Sequence, residues 1–429
     1  MLTTLRNALT VPDIRKRIGF VFFAFAVFVF MIHVQLPNVD QKQWNTLIAN
    51  GAFYQFLGFL SGGALQKLSI IAMGITPYIN ASIIMQLMTV VIPQLEEMAK
   101  KGGEEGRKTI SRYTRYLTIV LGTIQATSMA IAMSRGNVFF DHSWQFIVYA
   151  VVAFVSGTMF LMWLGEQISD KGIGNGISLI IFVGIVLRFP TQVAQTFSLA
   201  GKGGVNWLGL SLWVGIALVT IVSIVFMYQG QRRIPVQQAR RVIGRKMYAG
   251  RSSYIPLRLN NAGVISIIFA ISILLLPQQA LSWFGTGRTA GVGGNISFFL
   301  TTYFGPSSFL YNAVYFLLVV VFTFFYSAIV VNTKDIADNL RKSGSFIPGI
   351  RPGQPTVDYI NKILIRITTA AAIYLGLLAV LPSLQRDVGL SGLYIGSTSL
   401  LIVVGVALDS ITQIEARLAM RDYRGFINR

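Results

Sequence analysis

Ten long apolar stretches of this chain carry no Asp, Glu, Lys or Arg. They are Ile18–Val39, Leu68–Leu95, Tyr116–Ser134, Ser143–Gly165, Gly172–Leu187, Gly203–Gln231, Leu259–Gly287, Thr289–Thr333, Ile367–Gln385 and Val388–Leu408. A helix rises about 1.5 Å per residue, so roughly 20 apolar residues cross the roughly 30 Å hydrocarbon core of a bilayer. Nine blocks are that long; Gly172–Leu187 is shorter and must borrow flanking residues. Thr289–Thr333 is too long for one span, and its Gly-, Thr- and Asn-rich first part places the helix at about Phe309–Val331. The blocks predict an all-α integral membrane protein with ten spans. Charged residues are only 12% of the chain, about half the ~25% of a soluble domain.

The first block follows Arg15, Lys16 and Arg17 as a signal peptide would. Its run ends Met31-Ile32-His33-Val34 without a small-residue cleavage site, so a retained span is expected.

The net charge is +20, from 36 Lys and Arg against 16 Asp and Glu. Nucleic-acid binding and a membrane orientation bias both produce such a balance, and the distribution separates them. With both termini inside, Lys42, Lys67, Arg135, Arg188, Lys202, Arg288 and Arg386 lie outside and the other 29 of the 36 lie inside. That asymmetry predicts cytoplasmic termini. Because the basic residues alternate with spans, support for DNA binding disappears. Three inside loops are long: Glu96–Arg115, Arg232–Arg258 and Asn332–Arg366. Their concentrated charge fits a docking surface for a large soluble partner as well as orientation alone. Phe53–Lys67, FYQFLGFLSGGALQK, is apolar, Gly-rich, outside and too short to cross, and reads as an interfacial or re-entrant piece.

The chemistry of the chain is sparse. No cysteine is present, which excludes disulfides, thiolate metal sites and cysteine catalysis. The blocks hold no Asp, Glu, Lys or Arg to carry a coupling charge, which weighs against an ion-coupled small-solute transporter. His33 and His142 read as ordinary interfacial residues, and no metal or cofactor is expected. Gly102–Thr109, GGEEGRKT, departs from a phosphate-binding loop at Arg107, and Glu104 and Glu105 would repel phosphate. Gly172–Gly176, GIGNG, follows no strand and reads as a tight cytoplasmic turn. No hydrolytic constellation is present, so the chain is expected not to be an enzyme and to draw energy from a partner. Thr76, Asn80, Ser82 and Gln86 lie in the second block, where Pro77 could kink it, and Asn260 and Asn261 begin the seventh. Such residues serve as helix–helix glue or as a polar seam that opens.

These positions carry a resemblance. Ser61–Lys67 SGGALQK, Met73–Gln86 MGITPYINASIIMQ, Gly172–Ser178 GIGNGIS, Gln231–Val236 QRRIPV, Asn261–Ile265 NAGVI, Phe346–Gly353 FIPGIRPG and Ser399–Asp409 SLLIVVGVALD are together similar to the SecY family of bacterial protein-translocase channels. The resemblance implies two inverted pseudosymmetric five-helix halves around an hourglass pore, residues 1–200 with spans 1–5 and residues 201–429 with spans 6–10. It implies a pore that conducts unfolded polypeptides across the bacterial cytoplasmic membrane and releases transmembrane segments laterally into lipid. An accessory paralogue with restricted substrates is the nearest alternative, and a small-solute secondary transporter is the more distant one.

The resemblance also implies residue roles. A pore ring falls on Ile79, Ile83, Ile177, Ile181, Ile268 and Ile402; two pairs are spaced i, i+4 and share a helix face. A short plug helix at about 53–67 includes Phe53, Leu57, Leu60, Ser61, Gly62, Gly63, Leu65 and Lys67. Thr76, Asn80, Gln86 and Asn260 fall on a lateral gate. Arg240, Arg241, Arg245, Lys246 and Arg351, in loops at about 231–258 and 332–366, dock a SecA motor ATPase or a ribosome. Further implied partners are SecE- and SecG-like small subunits, signal sequences, unfolded preproteins and membrane lipids. Ser266 departs from a proline common in the family, which implies a straighter gate helix near the ring.

Overall fold

The computed structural model describes residues 10–49, 58, 61–140, 143–201, 207–238, 241–243, 246–248, 252–284, 308–387 and 397–427. The first span is α1 (Pro12–His33), and α2 (Gln41–Ala49) is a short amphipathic helix beyond it. The second block gives α3 (Thr76–Val91) and α4 (Pro93–Lys101). The following spans are α5 (Gly103–Arg135), α6 (Trp144–Lys171), α7 (Gly176–Gly201) and α8 (Trp207–Gln229). After four strands come α9 (Ile265–Phe284), α10 (Phe309–Val330), the short α11 (Thr333–Lys342), α12 (Gln354–Asp387) and α13 (Ser397–Ile427). Seven described helices are long and apolar enough to cross a membrane, and the bent pair α3–α4 makes an eighth. Apolar helices at 214–229 and 265–274 occupy the sixth and seventh blocks but are shorter.

Helix starts follow local chemistry. Pro12, Pro77 and Pro93 sit in the first turns of α1, α3 and α4, where a missing N–H costs no hydrogen bond. Asn175 Oδ1 accepts from Ile177 N and Ser178 N and caps α7, as Asn332 caps α11. Within the spans, the hydroxyls of Thr114, Thr118, Thr158, Thr220 and Thr323 each donate to the carbonyl four residues back. That satisfies them where lipid offers no partner. Between helices, Ser223 Oγ meets Tyr374 Oη at 2.6 Å and Ser327 Oγ meets Thr368 Oγ1 at 2.9 Å.

The outer surface is apolar. Phe22, Phe30, Val219 and Phe226 are each more than 65% exposed. In water such a surface would aggregate; against acyl chains it is neutral. One large apolar core joins α1, α3, α6, α7, α8, α9, α10, α12 and α13, and a second joins α2, the turn segment before α3, α5 and α6.

Three sequence expectations change. Pro77 begins α3 instead of kinking it, because residues 61–75 are turns and bridges. The bend lies at Ile92–Pro93, where α3 and α4 meet at 105°; Pro93 cannot donate to the ladder that would continue α3. The block of 16 residues beginning at Gly172 becomes a longer helix, since α7 runs on through Pro190 to Gly201.

The third change concerns the basic loops, which add strands to the all-α membrane body. β1 (Gln231–Gln238) pairs antiparallel with β4 (Ser252–Arg258), Ile234 opposite Ile255, and with β5 (Ser345–Phe346). β2 (Arg241–Ile243) and β3 (Lys246–Tyr248) form a separate hairpin. Ile234 and Val236 alternate inward in β1 and are buried with Leu257, Ile347 and Ile360. Ile360 belongs to α12, so a continuous helix carries the sheet. A charge count cannot see this sheet, because its apolar face is only a few residues wide.

Candidate functional site

All six isoleucines expected at the pore belong to, or pack against, the large core. Ile79 and Ile83 come from α3, Ile177 and Ile181 from α7, Ile268 from α9 and Ile402 from α13. Ile79, Ile83, Ile181 and Ile402 are buried; Ile177 and Ile268 are half-buried. The placement depends on close backbone approaches. A Cβ on Gly165 of α6 would lie 3.3 Å from Ile177 Cγ1, and one on Gly157 would lie 2.2 Å from the Ile70 carbonyl oxygen. The cluster offers no charge and no hydrogen bond.

The segment expected to form the plug lies beside it. Phe53, Leu57 and Leu60 fall outside the described residues. Residues 61–68 are successive turns, with Gly62 and Gly63 at φ +66° and +90°. Glycine populates that left-handed region without steric cost, which interrupts the expected helix here. Gly62 touches Gly184 of α7 so closely that a Cβ on Gly62 would lie 2.9 Å from Gly184 Cα. Ser61 and Leu65 are buried. Ser61 Oγ accepts from Leu65 N at 3.2 Å and donates to the Gly58 carbonyl at 3.3 Å.

α2 holds the segment from outside. The buried Trp44 indole N–H donates to the Leu65 carbonyl at 2.7 Å, and Gln41 Nε2 donates to the Gln66 carbonyl. Asp40 Oδ1 caps α2 by accepting from Lys42 N and Gln43 N. His33 Nδ1 contacts the Val29 carbonyl at 2.9 Å, and its Nε2 meets Lys67 Nζ at 2.8 Å. His33 therefore anchors the end of the segment, a role the sequence did not suggest. Trp44 and Gly184 were also missed. An isolated tryptophan and a glycine in an apolar run carry no motif.

α9 packs against α3 and α5, and polar groups sit in that region. Thr76 and Asn260 are buried. Gln86 Nε2 donates to Ser82 Oγ at 3.3 Å, and Asn260 Oδ1 accepts from Gly263 N at 2.8 Å. Asn80 Oδ1, Asn260 Nδ2, Asn261 Nδ2, Ser266 Oγ and Ser399 Oγ are buried with no hydrogen-bond partner in the chain. Each such atom costs about 1–3 kcal/mol. Ser266, in the first turn of α9, is fully buried.

Of the expected docking residues, Arg240 and Arg245 fall outside the described residues. Arg241 opens β2 and Lys246 opens β3. Arg351 is exposed between Gly349 (φ +80°) and Gly353 (φ +107°), and its carbonyl accepts from Thr356 Oγ1 at 2.9 Å. Arg233 stacks over the Tyr254 ring at 4.8 Å on the exposed face of the sheet. Among the described residues no three His, Asp or Glu side chains gather at metal-binding range, and His142 lies outside them.

The sequence model of the SecY family matches residues 69–411. The protein translocase subunit SecY of Thermotoga maritima is 41% identical over 440 residues, covering 100% of this chain and 98% of the relative. A solved channel described by the plug domain of SecY, which stabilises its closed state and maintains a membrane seal, superposes with a TM-score of 0.65 at 18% identity. That match covers 94% of this chain and 92% of the other. Sec61 in the canine ribosome–channel complex superposes with a TM-score of 0.60 at 18% identity, with the same coverage.

Proposed function

This chain belongs to the SecY family and is a pore-forming subunit of a protein translocase, a multi-pass protein of the bacterial plasma membrane; we propose that the six isoleucines are its pore constriction. One observation supports this reading above the others: four helices far apart in sequence bring all six into, or against, the one large apolar core, and a glycine-rich segment is seated on one of those helices, α7. A bulky apolar collar binds no particular polypeptide, and it resists wetting and ion leak. The segment at about 53–67 is the plug, held on the outer side at rest by Trp44, Gln41 and His33.

Spans 1–5 (residues 1–200) and spans 6–10 (residues 201–429) form two halves hinged between α7 and α8. Where α9 meets α3 and α5, they part as a lateral gate that includes Thr76, Asn80, Gln86 and Asn260. Unfolded chains pass outward, and apolar segments leave sideways into lipid. Both termini are cytoplasmic. The chain performs no chemistry, so a SecA-type motor or a translating ribosome supplies the drive through the sheet, Arg240, Arg241, Arg245, Lys246 and the Arg351 loop. Small SecE- and SecG-like subunits complete the complex.

The test is substitution of the collar. Ile83→Asn and Ile402→Asn, reconstituted with the partner subunits, are expected to conduct ions at rest and to pass preproteins with crippled signals. Wild-type conductance together with wild-type signal stringency in both variants would refute the assignment.

A further inference from the structure

The turn Gly172–Gly176 is built to tight tolerances. Gly174 takes φ +94°, and a Cβ on Gly176 would lie 1.9 Å from the Gly165 carbonyl oxygen. Gly176 N donates to Ser169 Oγ at 2.9 Å, and Arg17 Nη1 of α1 donates to the Gly172 carbonyl at 3.4 Å. The turn therefore moves as one piece with the ends of α1, α6 and α7. α13, almost at the other end of the chain, reaches it. Gln413 Oε1 accepts from Gly174 N at 2.9 Å, and a Cβ on Gly174 would lie 3.2 Å from Ser410 Oγ. Beside this exposed hydrogen bond Ile14, Ile173 and Ile414 bury one another, with Val11, Ile18 and Leu418 packed against them. This apolar cluster is separate from the large core.

The contact lies where α7 begins. The chain passes from α7 to α8 at the other end of α7, hence at the opposite membrane face. α9 meets α3 and α5 elsewhere. We propose that the Gly174–Gln413 hydrogen bond and the Ile14–Ile173–Ile414 cluster form a pivot. This pivot is the second end of the axis about which the two halves open, and Gln413 is the residue that positions it. The inference rests on the two-half reading above. A single covalent hinge leaves a half free to twist and tilt; a second fixed point on the other face restricts it to one rotation. Displacement grows with distance from that axis, so the pivot keeps its contacts while the gate parts. Its construction suits a bearing, because an exposed side-chain oxygen on a glycine backbone, beside a small apolar cluster, is a single contact about which the helices can turn.

Because the chain has no cysteine, introduced pairs report alone. Ile173→Cys with Ile414→Cys is joined by a short bis-thiol reagent cleavable by reductant, in the assembled channel in vesicles. A cysteine pair bridging α3 and α9, at positions outside the isoleucine ring and the four gate residues, serves as the gate pair. Preprotein translocation is measured before and after cleavage. The pivot-joined channel is expected to transport as it does after cleavage, whereas the gate-joined channel loses transport and regains it. Loss of transport in the pivot-joined channel, with the gate pair behaving as expected, overturns the pivot. Undiminished transport by the gate-joined channel refutes the two-half reading instead. A second test needs no crosslink. Gln413→Leu removes the acceptor and is expected to raise passage of a crippled-signal preprotein by about threefold, the scale of one exposed hydrogen bond. Gln413→Glu, which keeps an acceptor oxygen, stays at the wild-type level. Identical behaviour of the two variants overturns the role of Gln413.

Discussion

Replacing Trp44 by Phe removes one hydrogen bond from the seat of the proposed plug. The indole N–H lies 2.7 Å from the Leu65 carbonyl, and both residues are fully buried. A buried carbonyl deprived of its donor costs about 1–3 kcal/mol. The cost falls on the seated state, because a plug displaced from its seat exposes that carbonyl to water. The seated-to-open equilibrium should therefore shift by about 5- to 150-fold. Trp44→Phe also leaves a cavity, so a control is needed that makes a cavity without touching the plug carbonyls. Phe139, fully buried in the same apolar cluster, provides it as Phe139→Leu. The assay is resting ion conductance of the reconstituted channel, measured without preprotein or motor. Trp44→Phe is expected to raise the leak at least about fivefold, and Phe139→Leu to leave it near wild type. Equal leaks from the two variants would show that general loosening, not the indole hydrogen bond, opens the channel, and the latch argument would fail.

Reversing the charge at exposed Arg351, as Arg351→Glu, should abolish motor-driven export while the protein still inserts; export assays with membrane fractionation check both. Asn80→Leu removes a buried orphan acceptor and should favour the closed gate by about 1–3 kcal/mol. Signals of graded hydrophobicity would then need more apolar residues to be released into lipid, and an unchanged threshold would count against a gate role for Asn80. Ile360→Ala empties the core of the small sheet and should cost about 2–5 kcal/mol locally. Limited proteolysis should then cut first in residues 231–258 while the spans stay protected.

The spans were legible in the sequence because lipid imposes a long-period rule: about 20 residues free of charge. Helix α10 was placed within a residue of its observed end. The bend at Pro93 was harder to anticipate. Pro77 and Pro93 look alike in sequence and both begin helices; only the turns preceding Thr76 make Pro77 the start of the block's helix and leave Pro93 to break it. The six isoleucines stand out through family motifs alone, since nothing in an apolar side chain marks it as lining a pore. Trp44, Gly184 and Gln413 act through contacts with partners outside their own helices, one of them 239 positions away in the chain. Periodicity and composition are blind to such pairs.

The bend between α3 and α4 has a mechanical consequence. α4 lies across the end of α3 at 105°, and its backbone rests directly on α5. A Cβ on Gly106 would lie 2.1 Å from the Met98 carbonyl oxygen, so there is no slack between the two helices. α3 and α4 together are a crank, with α4 its handle gripped by the first turns of α5. Any tilt of those charged turns is delivered to α3, the proposed gate helix, as torque. A partner that grips the first turns of α5 would thereby act on α3 without touching it.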